Sequence, residues 1–259
     1  MRSSLHRPRK RFGQHFLHDA GVLARIVEAI APAPGDAIVE IGPGEGALTR
    51  PLLERVAHME AIEIDRDLAA RLQAQFAPER LVVHCADALE FDYGTCPRGV
   101  RLVGNLPYNV SSPLLFHLAR YADRVRDMHF MLQLEVVDRM VAQPSTPEYG
   151  RMSVTLQTRF RMRKLLRVAP GAFRPPPKVE SAVVRLVPLA PAERAQVDEG
   201  IFAEIVAGAF SARRKMLRNA LPLGAEDFVA LAIDPTLRPE NLSPEDYVRV
   251  AQRISACAL

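Results

Sequence analysis

Short apolar runs rich in β-branched residues alternate with helical segments along the first 135 residues of this chain of 259 residues. The runs predicted to be strands are AIVEIG (37–42), MEAIEID (59–65), RLVVHCAD (80–87), VRLVGN (100–105) and MHFMLQLE (128–135). Helical periodicity separates them over 19–31, 48–56, 67–76 and 113–122, and Asp19 is the predicted N-cap of the first helix. This alternation predicts an α/β fold with an open, mostly parallel sheet and helices on both faces.

The pattern changes near residue 188. A proline-containing segment, VPLAPAE (187–193), is followed by helical periodicity alone, as in 202–221 and 245–256. We therefore predict two domains. Residues 1–187 form the sheet domain and carry a basic N-terminal arm, and residues 188–259 form a small all-α domain.

Composition excludes several classes of protein. Charged residues at 25% and hydrophobic residues at 48% are typical of a globular chain. The three cysteines form no CxxC pair and no zinc-type cluster with histidine, so we expect neither a disulfide framework nor a metal site. No apolar run reaches the length of a membrane span, and the basic N-terminus lacks the features of a secretory signal. We expect a cytoplasmic protein without a membrane partner.

A glycine turn predicts a ligand site. The segment EIGPGEGALT (40–49) places Gly42, Gly44 and Gly46 between a strand and a helix, where the backbone can approach a ligand closely. Glu63 and Asp65 end the next strand, and a carboxylate there can accept hydrogen bonds from ribose hydroxyls. The pair indicates an adenosine-containing cofactor without saying which one. An ordinary strand–helix junction and a nicotinamide-dependent oxidoreductase are the alternatives.

Asp87 ends the third predicted strand, where it can accept a hydrogen bond from an adenine amino group or simply cap a helix.

The segment GNLPYNVSSPLLF (104–116) then ends the fourth strand. An adenine amine is a poor nucleophile, and two acceptors on its hydrogens would favour attack on a sulfonium methyl group. Asn105 can supply a side-chain oxygen and Leu106 a backbone oxygen. Pro107 fixes the turn and Tyr108 offers a face for stacking a flipped base. In isolation the segment is a plain turn.

Several motifs resemble those of the KsgA/Dim1 family of small-subunit rRNA adenine dimethyltransferases. They are FGQHFL (12–17), VEIGPGEGALT (39–49), IEIDRDLAARL (62–72), NLPYNVSSPLLF (105–116), YGRMSVTLQ (149–157) and FRPPPKVESAVVRL (173–186). The resemblance covers about residues 9–255. It implies a Rossmann-like class I methyltransferase fold with a seven-stranded sheet. It also implies methyl transfer from S-adenosyl-L-methionine to two adjacent adenosines in the 3′-terminal helix of 16S rRNA, giving N6,N6-dimethyladenosine during assembly of the 30S subunit.

The resemblance also assigns site residues. The implied cofactor contacts are His15, Leu17, Gly42, Gly44, Glu63, Asp87 and Asn105. Catalytic roles fall to Asn105, Leu106, Pro107 and Tyr108, and Phe173 would close the other face of the adenine. The chain departs from the family pattern at His15, where most members have asparagine.

Basic clusters predict contact with RNA. Arg159, Arg161 and Arg163 alternate with apolar residues, so on a strand they would share one face. A second cluster comprises Arg213, Arg214, Lys215 and Arg218, on the helix predicted over 202–221. Taken singly, each cluster would be a solvated face.

Together with the methyl-transfer motifs, these clusters favour contact with RNA. The resemblance implies an immature 30S subunit as the partner, and we expect a monomer. The alternatives are a 23S rRNA or DNA adenine N6-methyltransferase and a non-catalytic RNA-binding assembly factor.

Overall fold

The computed structural model describes residues 15–107, 110–194 and 196–257. Its strands are β1 (Phe16–Leu17), β2 (Ile38–Ile41), β3 (Met59–Ile62), β4 (Leu81–His84), β5 (Val100–Asn105), β6 (Val125–Gln133), β7 (Phe160–Val168), β8 (Phe173–Arg174) and β9 (Ser181–Pro188). Its helices are α1 (Ala20–Ile30), α2 (Thr49–Leu53), α3 (Arg66–Gln75), α4 (Ser111–Ala119), α5 (Leu134–Val141), α6 (Arg151–Gln157), α7 (Glu199–Ser211), α8 (Leu217–Ala220), α9 (Ala225–Leu231) and α10 (Pro244–Cys257).

Seven strands form one sheet in the order β4-β3-β2-β5-β6-β9-β7. The pairs from β4 to β6 are parallel, which confirms the predicted doubly wound α/β architecture. The chain winds from β2 outward to β4, then returns to β5 on the other side of β2. This reversal creates a crevice between the carboxyl ends of β2 and β5, where open α/β sheets bind their ligands.

The far side of the sheet is not parallel. Strand β9 pairs antiparallel with β6, with Phe130 opposite Val184, and β7 lies beyond it. A further pair of short strands, β1 and β8, is antiparallel and separate from the main sheet, with Phe16 opposite Arg174 and Leu17 opposite Phe173. These pairings join segments that are far apart in the chain.

Local sequence explains the first elements. Asp19 caps α1 as predicted, because its side chain accepts a hydrogen bond from the Val22 N–H at 2.9 Å. Strand β2 is buried along its whole length between layers of helices, which is why its sequence is almost continuously apolar. Gly104 lies where β5 approaches the neighbouring strand β2 closely, since a Cβ there would stand 2.3 Å from the Ile41 carbonyl oxygen.

A buried ion network lies on the same sheet. Arg101 on β5 forms two hydrogen bonds to Asp127 on β6, at 2.8 and 3.0 Å, and a third to Asp36 at 2.7 Å. Its guanidinium also donates to the Ile30 carbonyl at the end of α1. The fifth N–H donates to the Ala31 carbonyl at 3.3 Å. Because all five donors of the guanidinium have acceptors, burying this arginine leaves none of its hydrogen bonds unmade.

The chain divides into two compact units. One comprises residues up to Val137 together with Met162–Pro188, and the other comprises Asp138–Arg161 together with Leu189–Leu259. The second unit has its own apolar core, in which the hydroxyl groups of Tyr149 and Tyr247 donate to backbone carbonyls at 2.9 and 2.8 Å. It therefore includes a segment, 138–161, that the sequence division assigns to the sheet domain.

The predicted helix over 202–221 is interrupted. Helix α7 ends at Ser211 and α8 begins at Leu217. The break occurs because the Leu217 and Arg218 N–H groups bond to the Leu237 and Pro235 carbonyls rather than to the preceding turn. Across the described parts of the chain, no helix has both the length and the apolar character needed for a membrane span.

Candidate active site

A cavity of about 150 Å³ opens at the crevice between β2 and β5. Its walls come from the ends of four parallel strands and from the segment before α1. Of the predicted site residues, it is lined by His15, Leu17, Gly42, Gly44, Glu63, Asp87, Asn105, Leu106 and Pro107. The structure therefore brings together residues that lie up to 92 positions apart in the chain, between His15 and Pro107.

The glycine turn shapes one wall. Gly42 and Gly44 have φ values of +68° and +58°, which side chains rarely adopt. A Cβ on Gly42 would lie 3.7 Å from the Asn105 carbonyl oxygen, between the turn and the Asn105–Pro107 segment. A Cβ on Gly44 would lie 3.0 Å from the Phe16 ring. Glycine at these positions keeps the space between the two walls open.

Glu63 lies at the end of β3 and is 4% exposed. One carboxylate oxygen accepts from the Gly44 N–H at 3.1 Å and the other from the Asp65 N–H at 2.9 Å. Burial raises the pKa of Glu63, and the two backbone N–H bonds act against this rise. Each oxygen retains a second lone pair, so the carboxylate can still accept from two hydroxyl groups of a ligand.

Glu40, the first residue of the EIGPGEGALT segment, is a site residue that our sequence reasoning missed. Its side chain lines the cavity and is 1% exposed. The Thr49 hydroxyl donates to it at 2.6 Å. Burial raises its pKa to about 7, with a further contribution from Glu63. The available signal was an acidic residue inside an otherwise apolar buried strand, which is rare unless the group is paired or functional.

Asp87 follows β4 and caps a turn, because one of its oxygens accepts from the Leu89 N–H at 2.9 Å. The same residue lines the cavity, so the capping and ligand-binding interpretations are compatible. Asp65 has a local role, since its side chain caps α3 by accepting from the Asp67 N–H at 3.0 Å.

The segment after β5 forms the opposite wall. The Asn105 side-chain amide donates to the His15 carbonyl at 3.0 Å, and the Leu106 N–H donates to the Met131 carbonyl at 3.1 Å. The Pro107 carbonyl accepts from the Ser111 hydroxyl at 2.9 Å, which ties the segment to the first turn of α4. These bonds hold the predicted catalytic segment in place. Tyr108 lies outside the described residues.

Two predicted residues come from the β1–β8 pair. Leu17 is buried and lines the cavity. Phe173 is 2% exposed and packs in the apolar core of the first unit, away from the cavity lining. Its predicted place on one face of an adenine therefore remains a prediction.

His129 on β6 also lines the cavity and was not singled out in the sequence. It is 2% exposed, and neither ring nitrogen makes a hydrogen bond of standard geometry. Burial lowers its pKa to about 4, although Asp127 and the Ala29 backbone favour the charged form. The imidazole is therefore neutral at physiological pH.

The predicted RNA-binding residues divide into exposed and paired side chains. Those on the surface are Arg161, Arg163, Arg214, Lys215 and Arg218. Arg161 and Arg163 share one face of β7, whereas Arg159 precedes the strand and pairs with Glu199 at 2.8 Å. Arg161 also pairs with Glu193, and Arg213 with Glu240 at 2.5 Å.

The second predicted cluster lies mostly outside a helix, because the turn between α7 and α8 contains Arg213, Arg214 and Lys215. The basic N-terminal arm lies outside the described residues.

No group of three potential metal-ligating side chains occurs within residues 15–107, 110–194 and 196–257. The polar groups around the cavity are carboxylates, an amide, the imidazoles of His15 and His129 and backbone groups, all from separate segments. They suit an organic ligand with several hydroxyl and amine groups.

Comparison with known proteins places these features in a family context. The family model for ribosomal RNA adenine dimethylase matches residues 5–256. A ribosomal RNA small subunit methyltransferase A from Thiobacillus denitrificans is 61% identical over 245 residues, covering 94% of this chain and 96% of that protein.

Two solved structures have a similar fold. A dimethyladenosine transferase from Plasmodium falciparum has a TM-score of 0.82 at 23% identity and covers 95% of this chain and 99% of that one. The 23S rRNA methyltransferase ErmE has a TM-score of 0.69 at 25% identity and covers 93% and 99%.

Proposed function

The chain belongs to the ribosomal RNA adenine dimethylase family, and we propose on that basis that it methylates two adjacent adenosines in the 3′-terminal helix of 16S rRNA. S-adenosyl-L-methionine is the methyl donor, and each adenosine becomes N6,N6-dimethyladenosine. The observation that carries the proposal is the cavity between β2 and β5. It gathers the glycine turn, Glu63, Asp87 and the Asn105–Pro107 segment around one space.

The residues present fit this cofactor. The glycine turn leaves a cradle that a Cβ on Gly42 would fill. Glu63 would hold the ribose hydroxyls through the lone pairs that its two backbone bonds leave available. Asp87 would accept from the adenine amino group through the oxygen that does not cap its turn. When bound, S-adenosyl-L-methionine supplies an electrophilic sulfonium methyl group.

The chain's own contribution to the reaction is orientation and electrostatic stabilisation. The target amine must regain tetrahedral character, and the side-chain oxygen of Asn105 and the carbonyl of Leu106 would accept its two hydrogens. The Asn105 amide N–H already bonds to His15, so its oxygen is the atom left to face a substrate. No general base is needed, because the amine loses its proton readily once it is alkylated. A base-flipping enzyme of this kind reads its target outside the helix.

The substrate class is ribosomal RNA. We further propose that the enzyme acts as a monomer in the cytoplasm on an immature 30S subunit. The exposed side chains of Arg163, Arg214, Lys215 and Arg218 support phosphate contacts, since they are available to a polyanion. Arg159 and Arg213 are held by acidic partners, so their contribution to RNA binding would require exchange of those ion pairs.

Methyl transfer from labelled S-adenosyl-L-methionine tests the proposal. Purified protein is incubated with 30S particles that lack the modification, with 23S rRNA and with DNA. We expect label in 16S rRNA alone, as dimethyladenosine. Asn105→Ala and Glu63→Ala should lower transfer by about a hundredfold or more while 30S binding persists. Glu54→Ala, at an exposed position after α2, is the matched control and should retain activity.

The similarity to ErmE makes 23S rRNA methylation the second candidate. Label that entered only 23S rRNA would favour it and overturn the 16S proposal. Equal transfer by Asn105→Ala and the unmodified protein would refute the role of that residue. Binding of 30S particles without any transfer would instead favour a non-catalytic assembly factor.

A further inference from the structure

His15 makes two hydrogen bonds that connect two segments of the first unit. Its backbone carbonyl accepts from the Asn105 side-chain amide at 3.0 Å. Its ring Nδ1 lies 2.7 Å from the Pro175 carbonyl oxygen. Because a carbonyl oxygen can only accept, Nδ1 carries the proton in this contact. One residue therefore bridges the predicted methyl-transfer segment and the proline-rich segment that follows β8.

The contact with Pro175 completes the β1–β8 pair. In that pair Phe16 lies opposite Arg174 and Leu17 opposite Phe173, and one further step would place His15 opposite Pro175. Proline has no backbone N–H, so Pro175 cannot donate to the His15 carbonyl. The imidazole N–H supplies the closing hydrogen bond, and the His15 carbonyl bonds to Asn105 instead.

The contact with Asn105 selects one orientation of its amide. The terminal torsion of asparagine is broad, so rotation by about 180° exchanges the oxygen and the nitrogen at small intrinsic cost. The bond from Nδ2 to the His15 carbonyl removes this freedom, because the rotated amide would place two oxygens together. In the observed orientation Oδ1 is turned away from His15.

We infer that the His15 imidazole is a positioning residue, whose bond to Pro175 holds the His15 carbonyl where it orients Asn105 for methyl transfer. The inference rests on the proposed function, because the orientation matters for catalysis only if Asn105 Oδ1 accepts from the target amine. It differs from a direct cofactor contact of the imidazole. A ring that only bound the cofactor would affect cofactor affinity, whereas a ring that orients Asn105 affects the rate of transfer.

Two substitutions at His15 separate the effect of the hydrogen-bond donor from the effect of side-chain volume. Asparagine carries its Nδ2 at the same number of bonds from the backbone as histidine Nδ1, so His15→Asn retains a donor to Pro175. His15→Leu fills similar space without a donor. His18, three residues further along, is exposed, and His18→Ala is the matched control.

The experiment measures kcat and KM on 30S particles, the Kd of S-adenosyl-L-methionine by calorimetry, and the side-chain amide resonances of Asn105 by NMR. For His15→Leu we expect kcat to fall about tenfold, the effect of about 1.4 kcal/mol from a lost hydrogen bond, with Kd changed less than about threefold. His15→Asn should recover kcat to within about threefold of the unmodified protein. The Asn105 amide resonances should shift and broaden in His15→Leu and return in His15→Asn. His18→Ala should behave as the unmodified protein.

Three results would overturn the inference. The first is a large rise in Kd for His15→Leu at unchanged kcat, which would make the ring a cofactor ligand. The second is equal impairment of the leucine and asparagine variants, and the third is an Asn105 amide unchanged in His15→Leu. The NMR readout needs no turnover, so it decides the orientation even if the unmodified protein methylates no RNA. A failure of the unmodified protein to methylate RNA would count against the proposed function alone.

Discussion

Glu40 provides a direct test of the electrostatics of the cavity. Its carboxyl group is 1% exposed, and burial raises its pKa from the usual 4.5 to about 7. The Thr49 hydroxyl bond opposes this rise, and the neighbouring Glu63 adds to it. The folded protein therefore keeps Glu40 protonated over a pH range in which the unfolded chain is ionised.

The sign of the effect follows from the raised pKa. The stabilisation is complete below pH 4.5 and is lost as the pH rises through about 7, since the folded state then loses the proton that it held more tightly. The difference between 4.5 and about 7 corresponds to about 3 kcal/mol of unfolding free energy at 1.36 kcal/mol per pKa unit.

Glu40→Gln removes this dependence, because glutamine is neutral at every pH and its oxygen can still accept from Thr49. Relative to the unmodified protein, we expect the variant to gain about 3 kcal/mol in unfolding free energy between about pH 4.5 and about pH 8. Urea unfolding without cofactor, repeated across this range, measures the difference. Glu54→Gln, at an exposed position, is the control and should show a much smaller change. A stability difference between Glu40→Gln and the unmodified protein that does not vary with pH would refute the reasoning.

Three further predictions concern the sheet and the glycine turn. Gly104→Ala would place a Cβ 2.3 Å from the Ile41 carbonyl oxygen, so we expect little soluble folded protein, measured by circular dichroism. Asp127→Asn breaks the buried pair with Arg101 and should lower the unfolding free energy by about 3–5 kcal/mol in urea titrations at neutral pH. Gly42→Ala introduces a side chain at a φ of +68° and should lower the unfolding free energy by about 1 kcal/mol and weaken S-adenosyl-L-methionine binding in calorimetry.

The controls for these variants come from the same chain. Gly208 lies within α7 with open space where a Cβ would stand, so Gly208→Ala should raise stability by about 0.5–1 kcal/mol. Folding of Gly104→Ala to the same stability as Gly208→Ala would contradict the close approach of β2 and β5. Unchanged stability in Asp127→Asn, or unchanged cofactor affinity in Gly42→Ala, would contradict the corresponding argument.

Much of the first unit could be predicted because its signals are local. The apolar run at 100–105 coincides with β5, and Asp19 caps α1 as expected. The parallel strands β2 to β5 are short buried segments separated by helices, so hydrophobic pattern and glycine position suffice to locate them. The ligand crevice then follows from general topology, because polar residues at the carboxyl ends of these strands meet at one edge of the sheet. The family and the class of reaction predicted from the motifs are confirmed by the comparisons.

Contacts between distant segments could not be predicted in this way. Hydrophobic pattern indicates that a segment is a strand but not which strand pairs with it. The antiparallel pairing of β9 with β6 could therefore not be predicted from the sequence. The helix predicted over 202–221 was wrong in its middle, because carbonyls near residue 236 compete for the backbone N–H groups of α8. Whether an arginine on the surface meets RNA or an acidic neighbour, as Arg159 does, is likewise decided by packing.

The sequence by itself determined the chemical groups of this site, since residue types at fixed spacing specify a glycine turn, a carboxylate after one strand and an amide at the end of another. The tertiary structure alone decided the protonation state and the orientation of those groups. The pKa of Glu40 depends on burial by the whole sheet, and the amide of Asn105 depends on a carbonyl 90 residues away. Both are properties of the surroundings of a side chain, and such surroundings exist only after the chain has folded.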